Sequence, residues 1–139
     1  MLDIGIMNYL CGIYKTDEFF KKDLLGIYRG AMAEQFVGQE MAANQNNELF
    51  YWSRQAKSSS AEVDYVISVN DRIIPVEVKS VRAGRLRSMH QYLKEFPDCK
   101  VGYVFSANKY AELPEQRLNF IPIYFAYSAS ISREIVIQT

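Results

Sequence analysis

Apolar and polar positions alternate most regularly between Glu62 and Lys79, in EVDYVISVNDRIIPVEVK, and the other elements of the chain can be read around that stretch. A period of two, rich in β-branched residues, predicts two strands, Val63–Val69 and Arg72–Ser80, joined by a tight turn at Asn70-Asp71. If those two residues form the whole loop, Asp64 stands opposite Glu77. Successive side chains on a strand point to opposite faces, so Glu77 and Lys79 share one face and Asp64 joins them across the ladder. Val76, Val78, Tyr65 and Ile67 then fill the other face, which is wholly apolar.

Upstream, the spacing changes to that of a helix, from about Leu24 to Asn44. Ile27, Ala31, Ala33, Phe36, Val37 and Met41 recur at helical intervals, while Arg29, Gln35, Gln39 and Gln45 can face water. Glu34 breaks the pattern, because it sits among Gly30, Ala31, Ala33, Val37 and Gly38, small residues that let a helix approach a sheet closely. Alone it would read as a solvated glutamate; beside the acidic hairpin it reads as a residue turned toward Asp64 and Glu77.

Leu49–Arg54 reads as an aromatic strand, and Gln55–Ala61 as a polar, mobile loop. A second helix, from about Gly84 to Phe96, carries Leu86, Met89, Tyr92 and Leu93 inward and is closed by Pro97 and Asp98. The strand Lys100–Ser106 comes after that helix, which implies a crossover and a parallel neighbour. A loop is expected over Ala107–Asn119, then an apolar stretch Phe120–Tyr127 punctuated by Pro122, then an edge strand at Ile131–Ile137. The first fourteen residues are apolar from the start. They read either as a buried N-terminal element of a complete protein or as a start partway inside a larger polypeptide, with Lys15–Lys22 a charged connection.

Composition narrows the function classes. A chain of 139 residues, 49% hydrophobic, can bury one core, so a single domain over 1–139 is expected. Cys11 and Cys99 belong to no C-x-x-C pair and read as reduced thiols of a cytoplasmic protein. No run approaches the roughly eighteen apolar residues of a membrane-spanning helix. A formal net charge of zero argues against coating nucleic acid through bulk electrostatics, so such contact would need a local patch. One lone histidine, His90, and two separated cysteines make zinc a poor fit, and no nucleophile elbow or phosphate loop occurs.

The candidate chemistry lies in the hairpin. Like charges facing each other on a sheet are destabilising, and a divalent cation would convert that repulsion into binding. Carboxylate oxygens with open positions for water and phosphate suit Mg²⁺ or Mn²⁺, and Lys79 would orient or deprotonate water, or neutralise a phosphate oxygen.

An acid on an early helix, an Asp at the head of one strand and Glu-x-Lys on the next, here Glu34, Asp64 and Glu77-Val78-Lys79, resemble the PD-(D/E)xK nuclease superfamily. Val63 stands where the nominal motif has proline. The successive segments LDIGIMNYLCGI, GAMAEQFVGQEM, LFYWSR, AEVDYVI and IIPVEVKS also look like a domain of unknown function found C-terminal to AAA-type ATPases of bacteria and archaea. The resemblance implies an α/β, restriction-endonuclease-like fold, a central mixed sheet flanked by helices. It also implies a metal-dependent nuclease, DNA as the nucleic-acid partner, and an ATPase domain in the full-length protein. Glu34, Asp64 and Glu77 would hold Mg²⁺ or Mn²⁺ and Lys79 would serve catalysis. Arg54, Lys57, Arg82, Arg85 and Arg87 would hold the phosphate backbone. The alternative is a nuclease-fold module that has dropped the chemistry and serves nucleic-acid binding or protein docking. Oligomeric state is left open, a homo-oligomer included.

Overall fold

A computed structural model of the chain describes residues 24–44, 48–56, 59–79 and 86–131, together with Gly5, Ile6 and Tyr9. Six strands form one mixed sheet: β1 (Phe50–Ala56), β2 (Ser59–Val69), β3 (Arg72–Lys79), β4 (Gly102–Ser106), β5 (Ala111–Leu113) and β6 (Leu118–Pro122), in the order β1-β2-β3-β4-β6-β5. Among the described residues the helices are α1 (Leu24–Asn44), α2 (Arg87–Glu95) and the single turn α3 (Ala126–Ala129), besides short 3₁₀ segments and helical backbone at Gly5, Ile6 and Tyr9. The fold is therefore α/β, with helices on both faces of the sheet.

The hairpin follows from its turn. Asn70 and Asp71 both take positive φ, 50° and 59°, the pair of left-handed residues that a two-residue turn matching the strand twist requires. The turn sets a register in which Val69 faces Arg72 and Tyr65 faces Val76. On one side of the sheet, Ile67, Ile74, Val76 and Val78 pack with Val37 and Met41 of α1, with Tyr65 partly buried against them. On the other side, Met89, Tyr92 and Leu93 of α2 pack with Val63, Val104 and Leu118. Burying each of these side chains contributes about 1.5–3 kcal/mol. The crossover through α2 makes β3 and β4 parallel, and β4 is parallel to β6 as well.

Several expectations are corrected. Within Gln55–Ala61 the described residues are strand, not loop: β1 runs through Ala56 and β2 begins at Ser59, with Gln55 facing Ser60 and Ala56 facing Ser59, while Lys57 and Ser58 lie outside the described residues. The serines suggested a loop, but at the tip of a hairpin the main-chain ladder specifies the strand and polar side chains can stand in water. Ala107–Asn119 is not all loop either, because β5, a 3₁₀ turn at Pro114–Gln116 and the start of β6 lie inside it. Ala31, placed on the buried side of the first helix, is exposed. The expectations for residues 1–23 other than Gly5, Ile6 and Tyr9, for Ser80, for the start of the second helix before Leu86 and for the strand beyond Ile131 fall outside the described residues. Among those described, no helix is long and apolar enough to cross a membrane.

Candidate metal centre

Asp64, Glu77 and Lys79 lie where the paired register of β2 with β3 ends. Phe50 pairs with Val66 and Trp52 with Val63, three steps along β2 against two along β1, so β2 carries one extra residue around Asp64 and Tyr65. Packing shows the same slip. Val63 and Val66, which strict alternation would put on opposite faces, both lie in the α2-side cluster. The paired register of β2 with β3 ends at Tyr65 and Val76. One residue further, the Asp64 carboxylate accepts the Val78 N–H through Oδ2 at 2.7 Å. Asp64 therefore does not continue the ladder directly opposite Glu77. Its side chain takes the place of a main-chain acceptor in the notch left where the pairing of β2 with β3 stops.

Glu77 is buried, only 5% exposed. One carboxylate oxygen, Oε1, accepts a hydrogen bond from the Lys79 ammonium and forms an ion pair with it. The other, Oε2, is buried with no hydrogen-bond partner among the described residues. A carboxylate normally accepts several hydrogen bonds, and leaving a buried oxygen unpartnered is costly. Burial pushes the Glu77 carboxyl above the usual carboxylate range, the Lys79 hydrogen bond opposes that, and the charges of Asp64 and Glu34 raise it further. Asp64 is raised by burial against the pull of the Val78 N–H and Lys79. Glu34, on an exposed position of α1, is raised by partial desolvation of its carboxyl and then by the charge of Asp64, with Lys79 lowering it. Glu62 adds negative charge to both Asp64 and Glu34.

Three carboxylates and one ammonium thus share one electrostatic neighbourhood. Among the described residues, however, no three acidic, histidine or cysteine side chains stand as a ready ligand set for one ion. The convergence of Glu34, Asp64 and Glu77 expected from the sequence is looser than a closed site. Asp64 and Glu77 lie where β2 and β3 part, and Glu34 acts on them by charge from α1.

Tyr65 is the residue that pattern reading undervalued. Counted there as apolar filling, it donates its hydroxyl to the Glu34 main-chain carbonyl at 2.9 Å and so fastens α1 to β2. Its own pKa is pushed up to about 12 by burial and by the charges of Glu34 and Asp64.

Of the proposed phosphate contacts, Arg54 is exposed on β1 and pairs with Glu95 at 3.4 Å. Arg87 is exposed at the start of α2, and His90 is exposed on the same helix. Lys57, Arg82 and Arg85 lie outside the described residues. Cys99 is a buried free thiol whose Sγ donates to the carbonyls of Ile73 and Val101 and whose pKa burial raises, so it is chemically quiet. A hollow of about 450 Å³ at the turn end of β3, walled by Ile73, Tyr92 and Phe96, borders none of the four candidate residues.

Residues 29–127 match the family described as a domain of unknown function, DUF4143. The chain belongs to that family. The match includes all four candidate residues, Tyr65 and every strand of the sheet, so the notch is part of the DUF4143 domain itself. No curated protein and no solved structure matches the chain.

Proposed function

We propose that this DUF4143 domain is a metal-dependent phosphodiesterase of the PD-(D/E)xK type, with a restriction-endonuclease-like fold, acting on DNA. The observation that carries this reading is the buried Oε2 of Glu77, unpartnered among the described residues, beside the Lys79 ammonium and within the field of Asp64. A structural carboxylate would not ordinarily be left in that state. Hard oxygen donors in an acidic notch fit Mg²⁺ or Mn²⁺: Asp64 and Glu77 would hold the ion, with Glu34 contributing directly or through a water. Bound there, the ion would supply Lewis-acid stabilisation of charge on the phosphate.

The chain's own groups account for the rest of the proposal. Lys79, a proton carrier hydrogen-bonded to Glu77, orients the attacking water or neutralises a phosphate oxygen. Asp64 is held in place by the Val78 N–H. Arg87, together with Arg54 once drawn away from Glu95, offers phosphate contacts that carry no sequence information. Lys57, Arg82 and Arg85 belong to the same proposed patch. By resemblance, the domain would work in the cytoplasm beside an AAA-type ATPase domain of its full-length protein.

The test is incubation of the purified protein with plasmid and with single-stranded DNA in Mn²⁺, in parallel with Lys79→Ala. Nicking by the parent and none by the variant is expected, and equal nicking by both removes the assignment.

A second reading, a nuclease-fold module that only docks nucleic acid or protein, is favoured by the lack of a closed three-ligand set among the described residues. Calorimetric titration with Mn²⁺ separates the two. Binding no tighter than a millimolar background leaves the docking role.

A further inference from the structure

We propose that β1 is a self-pairing edge, and that two copies of this chain join antiparallel along it to make one continuous sheet. The proposal is independent of the chemistry assigned to the notch. Among the described residues β1 pairs with β2 alone and forms one border of the sheet. An edge strand offers unpaired N–H and C=O groups to any other strand, and proteins usually blunt such edges with charged side chains, lysine above all, with proline or with a bulge. The seven residues of β1 contain no proline or lysine and one charged residue, Arg54, and the extra residue of the β1–β2 pair lies on β2.

The exposed aromatics point the same way. Phe50 and Tyr51 are 63% and 70% exposed, and as neighbours on a strand they project from opposite faces. A patch on one face of the sheet would leave one of them uncovered, whereas a strand added at the edge runs beside both.

The occupant follows from complementarity. Centring an antiparallel pair on Tyr51 puts Phe50 of one copy opposite Trp52 of the other and Glu48 opposite Arg54. Trp52 and Arg54 lie on the face that carries α2, as their contacts with Tyr92 and Glu95 fix, and alternation puts Phe50 there too; Glu48, two residues before β1 begins, joins them when the pairing extends the strand that far. A twofold axis repeats each contact, giving two aromatic cross-strand pairs and two opposite-charge pairs, each of a kind that stabilises paired strands. The existing ion pair of Arg54 with Glu95 is exposed at both ends and holds Arg54 weakly.

Sedimentation equilibrium of the full chain should show a concentration-dependent dimer of the 16.1 kDa protomer. Glu48→Arg and Arg54→Glu should each weaken association about tenfold, since either one turns both charge pairs repulsive. An equimolar mixture of the two variants should recover the parent's affinity, because every pair in the mixed dimer is again opposite in sign. Tyr51→Cys in a Cys11→Ser background should cross-link on oxidation, as the two sulfurs would meet on the axis. A strictly monomeric parent overturns the proposal. So does a dimer that ignores both charge reversals, or one that persists without cross-linking at position 51.

Discussion

The Tyr65 hydroxyl donates to the Glu34 main-chain carbonyl at 2.9 Å and lies against the backbone of Gly38, one turn along the same helix. A Cβ at position 38 would stand 2.6 Å from that hydroxyl oxygen and 3.0 Å from the ring carbon that bears it. Helical glycine normally costs stability relative to alanine, so Gly38→Ala at an unconstrained site would stabilise by about 0.5–1 kcal/mol. Here the sign reverses, with an expected loss of about 1–3 kcal/mol from the forced displacement of Tyr65. Tyr65→Phe should cost about 1 kcal/mol for the hydrogen bond. Because removing the hydroxyl relieves the closest contact, the double variant should be less destabilised than the two single losses added together. Urea unfolding measures all three, and a stabilised Gly38→Ala would show that helix and sheet do not meet at this point.

Crowded carboxylates make the metal-free protein sensitive to pH in a particular direction. Burial and neighbouring charge raise the folded-state pKa of Glu77 above its ordinary 4.5. The folded chain therefore binds that proton more tightly than the unfolded chain does. This contribution to stability is complete below the unfolded value and is lost as pH rises through the raised folded value. Glu77→Gln keeps an acceptor for Lys79 and removes the charge. In EDTA the variant should be more stable than the parent at neutral pH by about 1 kcal/mol, because a charged unpartnered oxygen costs more than a neutral amide. The difference should shrink toward acid. A variant whose deficit grows as pH rises would mean that the ion pair with Lys79 outweighs the burial of the charge.

Metal binding should act on stability through the same groups. At a Mn²⁺ concentration one hundred times its Kd, a single site on the folded state adds about 2.7 kcal/mol. Asp64→Asn retains an oxygen able to accept the Val78 N–H while removing the negative charge, so the strand junction should survive and the Mn²⁺ response should not. Thermal unfolding with and without Mn²⁺ tests this. Equal shifts in parent and variant would place the ion elsewhere on the protein.

The sequence pattern carried the hairpin and the long helix further than it carried the junction between them. Leu24–Asn44 and the Asn70-Asp71 turn were legible because 3.6-residue periodicity and a two-residue turn are local signals. The extra residue at Asp64–Tyr65 leaves no trace in composition; it exists only in the mismatch between β1 and β2. For that reason the site residues could be nominated while Asp64's bond to the Val78 N–H could not be foreseen. β5 and β6 were hidden for a related reason. A three-residue strand such as Ala111–Leu113 has almost no propensity of its own and is specified by pairing with β6. Tyr65 shows the remaining gap, since hydropathy counts its ring and overlooks a hydroxyl reaching the carbonyl of another element.

Arg117 tests how the α2 side of the molecule is secured. It sits at φ 56°, between the 3₁₀ turn and β6, in a conformation that favours glycine. Its guanidinium donates to the carbonyls of Leu93, Pro97 and Cys99, capping the end of α2 and the turn after it. Its main-chain carbonyl accepts the Gly102 N–H at 2.8 Å where β4 begins. Three carbonyls served by one planar, permanently charged group should be hard to replace. Arg117→Ala should lose about 2 kcal/mol or more, because two of the carbonyls left behind, those of Leu93 and Cys99, are partly buried. Arg117→Lys should recover less than half of that, as a compact ammonium cannot span the same fork. Arg117→Gly relieves the backbone strain yet should still be less stable than the parent, provided the guanidinium contacts outweigh the left-handed conformation. Chemical denaturation of the three variants gives the order, and a glycine variant as stable as the parent would reduce Arg117 to an ordinary turn residue.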